Sequence, residues 1–175
     1  MDATAQQLVE HLGMTPLPVE ATHFVSTYRS EANTDAGGPV GTAMIGLYSS
    51  DPPSMSMFHR LEFDEVWHFY GGDPMRLVLL HPDGSSADVI VGSDMLAGES
   101  VQYVIPAGVW QAGELVPGGS WALFGCAMAP GFTGTCFEGG RIDDLLQRYP
   151  DRASDIRKLG IPDDYGTSMP EGFAT

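Results

Sequence analysis

The chain has 175 residues, 43% hydrophobic and 18% charged, with 22 glycines and 13 prolines. That length suits one domain, 1–175, with a core able to stand alone, and the turn-rich composition favours strands over helices. Aspartate and glutamate number 23 against 8 lysines and arginines, and the formal net charge of -15 repels nucleic-acid phosphates and anionic lipid. Neither nucleic acid nor membrane is therefore an expected partner.

No apolar run of about 18 residues occurs. MDATAQQLVEHLG lacks the basic start and apolar stretch of a leader, so the expected location is cytoplasmic. In TAQQLVEHLG, residues 4–13, Leu8, Val9 and Leu12 share a helical stripe, with Thr4 as the expected N-cap and Gly13 as the stop. YRSEANTDAGGPVG then reads as a long loop.

From about residue 40 to 138 the pattern changes. TAMIGLYS, DEVWHFYGG, MRLVLLHPDG, ADVIVG, SVQYVIPAG, VWQAGEL and WALFGCAMAP are short apolar or alternating runs separated by Gly, Pro, Asp and Ser. Their spacing of about ten residues predicts an antiparallel barrel or sandwich of seven or more strands. HPDGS is the clearest hairpin turn. Cys126 and Cys136 form no C-x-x-C pair and are expected to be buried free thiols. Over 142–160 the helical pattern returns: DDLLQRYP offers an aspartate cap with Leu145, Leu146 and Tyr149 on one side, and ASDIRKLG repeats the idea. The tail after Ile161 has no periodicity.

The densest chemistry lies in HRLEFDEVWHFYGGDP, residues 59 to 74. In a strand, residues two apart share a face, so Glu65, Trp67 and Phe69 point one way and Val66, His68 and Tyr70 the other. A carboxylate between Trp and Phe suits neither a solvent face nor a dry core, so Glu65 is expected to face a partly wet pocket. The competing reading pairs it with Arg60 or Arg76 as a structural ion pair. His59 is an even number of residues away and joins the same face if the chain stays extended, which would suit a metal ion or acid/base chemistry.

At this point the sequence resembles a known family. SMSMFHRLEFDEVWHFYGGDP, VIPAGVWQAGE and FGCAMAPGFTGTCFE, in that order, with TYRS upstream and LLQRYP at the end, are similar to the cupin superfamily branch called cupin family five. The resemblance implies an all-β, cupin-type jelly-roll β-barrel with a short N-terminal helix and C-terminal helices, a homodimer, and one conical pocket per chain. Of the first cupin motif, His59, Glu65 and Gly72 match, while Leu61 stands where a second histidine would. Of the second, Gly98, Pro106 and Gly108 match, while Gln111 stands where its histidine would. Two of four usual ligands are thus absent, so no cofactor is expected, and a divalent transition metal (Fe, Mn, Zn or Ni) would have only His59, Glu65 and Gln111. The family's Glu-Gly-Gly-aromatic run appears here as EATHF, residues 20 to 24, which brings His23 near the pocket.

The resulting expectation is a small-molecule enzyme working by metal-independent acid/base chemistry, an isomerase, epimerase, dehydratase or cyclase, on a sugar-like or secondary-metabolite substrate. His59 and Glu65 are its catalytic candidates. Arg29, Arg60 or Arg76 would hold an anionic or carbonyl oxygen, and Trp67, Phe69, Tyr103, Trp110, Phe124, Gln111 and His23 would complete the binding surface. The alternatives are a metal-dependent dioxygenase or lyase, and a non-catalytic small-molecule pocket.

Overall fold

A computed structural model describes residues 2–174. Helix α1 (Ala3–Leu12) is capped by Asp2 rather than Thr4, the carboxylate accepting from Thr4 N at 2.9 Å and Ala5 N at 3.4 Å. A side-chain acceptor one residue before the first turn reaches the free amides that Thr4, already inside the helix, does not. Gly13 ends the helix at φ 63°.

Among the described residues twelve strands follow: β1 (Thr15–Pro16), β2 (His23–Arg29), β3 (Thr42–Ser50), β4 (Pro53–Ser54), β5 (Ser56–Leu61), β6 (Glu65–Gly72), β7 (Met75–Leu80), β8 (Ser86–Val91), β9 (Gln102–Ile105), β10 (Trp110–Leu115), β11 (Trp121–Met128) and β12 (Phe137–Gly139). They form two antiparallel sheets. One runs β1-β2-β3-β11-β6-β9 with β4 beside β3; the other runs β12-β5-β10-β7-β8. The β structure thus begins before residue 40, because HFVSTYR alternates well enough to pair along β3, from His23 opposite Leu47 to Arg29 opposite Thr42. The HPDGS turn joins β7 to β8, with Leu80 opposite Ser86, Gly84 at φ 92° and the Asp83 carboxylate accepting from Ser85 N at 2.9 Å.

Between the sheets lie Tyr48, Trp67, Leu77, Leu79, Ile105 and Phe124, all fully or almost fully buried. Each such large side chain contributes about 1.5–3 kcal/mol over leaving it exposed. The outer face of the second sheet is not solvent either. Helices α2 (Ile142–Arg148) and α3 (Ala153–Leu159) cover it, packing Leu145, Ile156 and Leu159 on Phe58, Val78, Leu80 and Trp110. Arg141 precedes α2 without a capping bond, and Asp143 and Asp144 sit in the first turn, where the helix dipole favours negative charge. On the other side α1 lays Ala5, Leu8, Val9 and Leu12 against Ile45, Leu47 and Leu123 of the first sheet. Among the described residues no helix is long and apolar enough to cross a membrane.

The aperiodic tail is nonetheless docked. Gly139 N donates to Thr167 O at 2.7 Å, and Met169 is buried beside Leu61 and Phe137.

Candidate functional site

One end of the space between the sheets is filled by side chains, and the other encloses a cavity of about 300 Å³. Its inner part is lined by Glu20, Ser56, His59, Glu65, Trp67 and Cys126; its walls are apolar, including Leu17, Phe24, Met44, Leu61, Met128, Phe132 and Phe173. The exposed Ser26 and Arg29 mark the mouth, where Arg29 Nη1 donates to Phe132 O at 3.2 Å.

His59 and Leu61 alternate onto the cavity side, a register shift in β5 between Ser56 and His59 brings Ser56 to the same side, and His59 lies directly opposite Gln111 across β5 and β10. Glu65 and Trp67, two apart on β6, meet Gln111 in a closed triangle. Glu65 Oε2 accepts from Trp67 Nε1 and from Gln111 Nε2, each at 2.9 Å, and Gln111 Oε1 accepts from Trp67 Nε1 at 3.0 Å. Burial pushes the Glu65 carboxyl above its ordinary range, with His59 and the two hydrogen bonds pulling the other way. His59 is 4% exposed and stacks on Phe137, ring centres 5.3 Å apart. Its Nδ1 donates to Met57 O at 2.8 Å. A carbonyl only accepts, so that bond fixes the proton on Nδ1 and leaves Nε2 as the basic nitrogen of a ring that lines the cavity. Burial lowers the imidazole from its usual value, opposed by the Glu65 charge and the Met57 bond.

Glu20 was not legible as a site residue, although it heads EATHF. It is 5% exposed, and its Oε2 lies 3.4 Å from His59 Nδ1. Burial raises its carboxyl from 4.5 to about 8, offset in part by a Ser56 hydrogen bond. The turn that carries it is closed by Leu17 N donating to Thr22 O at 2.7 Å, and is fastened to the β4–β5 segment by Thr22 Oγ1 donating to Met55 O at 2.9 Å and His23 N donating to Ser54 Oγ at 3.1 Å. Val19 and Ala21, on either side of Glu20, have φ of 71° and 62°. The left-handed region costs a residue with a Cβ roughly 1–2 kcal/mol. Ala21→Gly is therefore expected to raise stability by about 1 kcal/mol in urea denaturation, and an unchanged or lower midpoint would contradict the strained turn.

Other expected lining residues stand elsewhere, for reasons that lie in the faces of the strands. Arg60 and Trp110 share the outer face of β5 and β10, the guanidinium 4.6 Å from the Trp110 ring centre and its Nε donating to Glu138 at 2.7 Å. Arg76, on the outer face of β7, donates to Glu114 at 2.7 Å and Asp155 at 2.6 Å and so ties α3 to the sheet. Neither arginine pairs with Glu65. Phe69 and Tyr103 point between the sheets but pack on the filled end of the core, where Phe124 stacks on Trp67 at 4.8 Å. His23 does not line the cavity. Phe24 and Ser26 take the cavity side of β2, so the alternation turns His23 outward, with its Nδ1 buried and without a hydrogen-bond partner.

The donor set does not fit a transition metal. His59 is its one imidazole, the Gln111 amide is engaged with Glu65 and Trp67, and among the described residues no group of three or more His, Cys, Asp or Glu side chains could hold a metal ion. Burial holds the Cys126 thiol well above its usual value, which leaves it protonated and unreactive as a nucleophile.

Comparison with known proteins agrees with this architecture. Protein SO0799 of Shewanella oneidensis is 30% identical, with a TM-score of 0.84 over 91% of this chain and 98% of that one. A Leishmania major protein is 25% identical, with a TM-score of 0.80 over 89% of this chain and 98% of the other. The Saccharomyces cerevisiae protein YML079W is 28% identical over 125 residues, 63% of this chain and 58% of that protein's length. The family model for the cupin superfamily (DUF985) matches residues 6–139, and the two facing antiparallel sheets around a cavity belong with it: the chain is a member of this cupin family.

Proposed function

We propose that the protein is a metal-independent enzyme that moves protons on a small molecule held in the barrel cavity, in the manner of an isomerase, epimerase, dehydratase or cyclase. The observation that carries this reading is His59, a neutral imidazole with Nδ1 held by a backbone carbonyl, set between two buried carboxyl groups inside an enclosed apolar space. Nε2 removes a proton from the substrate, and the imidazolium so formed is stabilised by the negative charge that Glu65 carries when ionised. The Glu65–Trp67–Gln111 triangle keeps that carboxyl in one orientation, so little reorganisation is needed as charge develops. Arg29, at the mouth, supports a substrate with one anionic group, and the apolar walls support an uncharged body between the anion and the reacting atoms.

The test is solvent-deuterium incorporation at C3 of 2-oxobutanoate, 2-oxopentanoate and phenylpyruvate, followed by proton NMR against protein-free controls. Protein-dependent exchange that Arg29→Gln weakens chiefly through KM is expected. Binding of these acids without exchange would favour a non-catalytic pocket instead.

A further inference from the structure

We propose that the turn at residues 170–174 is a hinged wall of the cavity: the Phe173 ring swings aside to admit a ligand and then closes against its apolar body. The ligand class this selects is a monoanion on a flat apolar body, with the anion at Arg29. Such a wall would serve an enzyme and a binding protein alike, so it does not depend on the proton transfer proposed above.

Phe173 and Ala174 reach the cavity from outside the barrel. Among the described residues the rest of the lining falls between 17 and 132, in strands of the two sheets or in the turns beside them, while these two come from the stretch after α3. That stretch is anchored upstream of them. Gly139 N donates to Thr167 O at 2.7 Å, and Met169 is buried among Leu61, Cys136 and Phe137. Pro170, Glu171 and Gly172 are then exposed. Phe173 N donates to Pro170 O at 3.0 Å and closes a four-residue turn, whose third residue, Gly172, has the φ of 77° that glycine adopts without strain. The bond lies within the turn, so the turn can rotate about Met169 as one piece and keep it.

The barrel carries a shaped seat for this segment. A Cβ on Gly134 would stand 2.6 Å from Phe173 O and 3.4 Å from Met169 Cβ, and one on Gly139 would stand 3.1 Å from Thr167 O. Neither glycine has a positive φ, so the close approach of the segment, and not a turn, accounts for the missing side chains. The closed position is thus built into the barrel.

What closes it is aromatic contact. Phe173 lies 6.2 Å from Phe24, tilted by 56°, and 6.4 Å from Phe132, edge-on, and all three rings are only partly buried. The two rings of the frame are firmly held. Phe24 is paired in β2, opposite Gly46, while Phe132 N donates to Thr42 Oγ1 at 2.8 Å and Phe132 O accepts from Arg29 Nη1 at 3.2 Å. The turn has no strand neighbours of that kind, and exposed segments with half-buried contacts open at low cost. Because Arg29 is bonded to Phe132, an anion held there leaves the ligand's body beside the Phe132 and Phe173 rings. Contact with the Phe173 ring then favours the closed position over the open one.

Fluorine NMR line shapes of 4-(trifluoromethyl)benzoate, recorded with the whole chain, test this through association and dissociation rates. Phe173→Ala is expected to raise both, dissociation by roughly 10-fold and association by less, because the same ring is barrier and contact. Gly134→Ala, whose methyl group meets Phe173 O, is expected to raise both while every residue of the turn is kept. A fixed wall would weaken binding without speeding entry. Association no faster than wild type in the two variants would therefore overturn the proposal, as would a wild type that does not bind the probe. Binding that Arg29→Gln leaves unchanged would overturn the ligand class.

Hydrogen exchange on the wild type gives a second readout that needs no variant. The amides of residues 171–174 are expected to exchange faster than those of β2 and β11, and to slow when the probe is saturating. Exchange there as slow as in the strands, or unaltered by bound probe, would overturn the hinge. None of these readouts follows deuterium at carbon, so the proton-transfer reading stands or falls separately.

Discussion

His59→Asn is expected to lower protein-dependent deuterium exchange by about 100- to 10,000-fold, the usual share of a general base, while the protein stays folded. The asparagine Nδ2 stands at the same position along the side chain as Nδ1, so its N–H can keep the bond to Met57 O that Nδ1 makes at 2.8 Å. What it lacks is a basic nitrogen. The wild-type pH profile should show where the active form lies. Burial lowers the His59 value, so the neutral base persists below pH 6.5, and the acid limb of the profile is expected there. An acid limb that instead lies above pH 6.5 would contradict a buried imidazole acting as the base.

Phe124→Ala is expected to cost about 3–5 kcal/mol of stability, as for other large-to-small changes in a packed core. The ring is fully buried, stacks on Trp67 at 4.8 Å and lies 4.6 Å from Tyr48. It also fills the space over Gly46, where a Cβ would collide with it. The loss reaches the site, because Trp67 holds both Glu65 and Gln111. Urea denaturation measures the first effect, and a rise in exchange KM or a fall in kcat measures the second. A destabilisation under about 1 kcal/mol would mean that Phe124 is a ligand-facing ring and not part of the core.

What the sequence conveyed and what it did not divide along one physical line. A period of two identifies which residues share a face within one strand, and that was enough to group Glu65 with Trp67; His59 does not continue their strand but meets them from β5 of the facing sheet, across the turn at 62–64. The period does not say what covers each face. Arg60, Arg76 and Trp110 carry the same kind of signal, yet they lie on the side closed by α2 and α3, where Trp110 packs against the helices and Arg76 bonds to Asp155. Both faces of β5, β7 and β10 are buried, and only a tertiary contact distinguishes the cavity from the helix layer. Glu20 was hidden for a different reason. Its inward position depends on Thr22 bonding to Met55 and Ser56, partners 33 and 34 residues away, so no local pattern announces it. The same holds for Phe173, which the aperiodic tail brings to the cavity wall and within 6.2 Å of Phe24. Gln111, by contrast, was marked by its place in a cupin motif, and its amide turned out to bind Glu65 and Trp67.

The most direct measurement is a long-range nitrogen–proton NMR spectrum of the histidine rings at pH 7, recorded before and after one equivalent of zinc. Expected for His59 is a neutral ring with the proton on Nδ1 and a free, unprotonated Nε2, unchanged by zinc. An imidazolium at that pH, a proton on Nε2, or a stoichiometric shift of the Nε2 resonance on adding zinc would contradict a metal-independent base at the centre of this cavity.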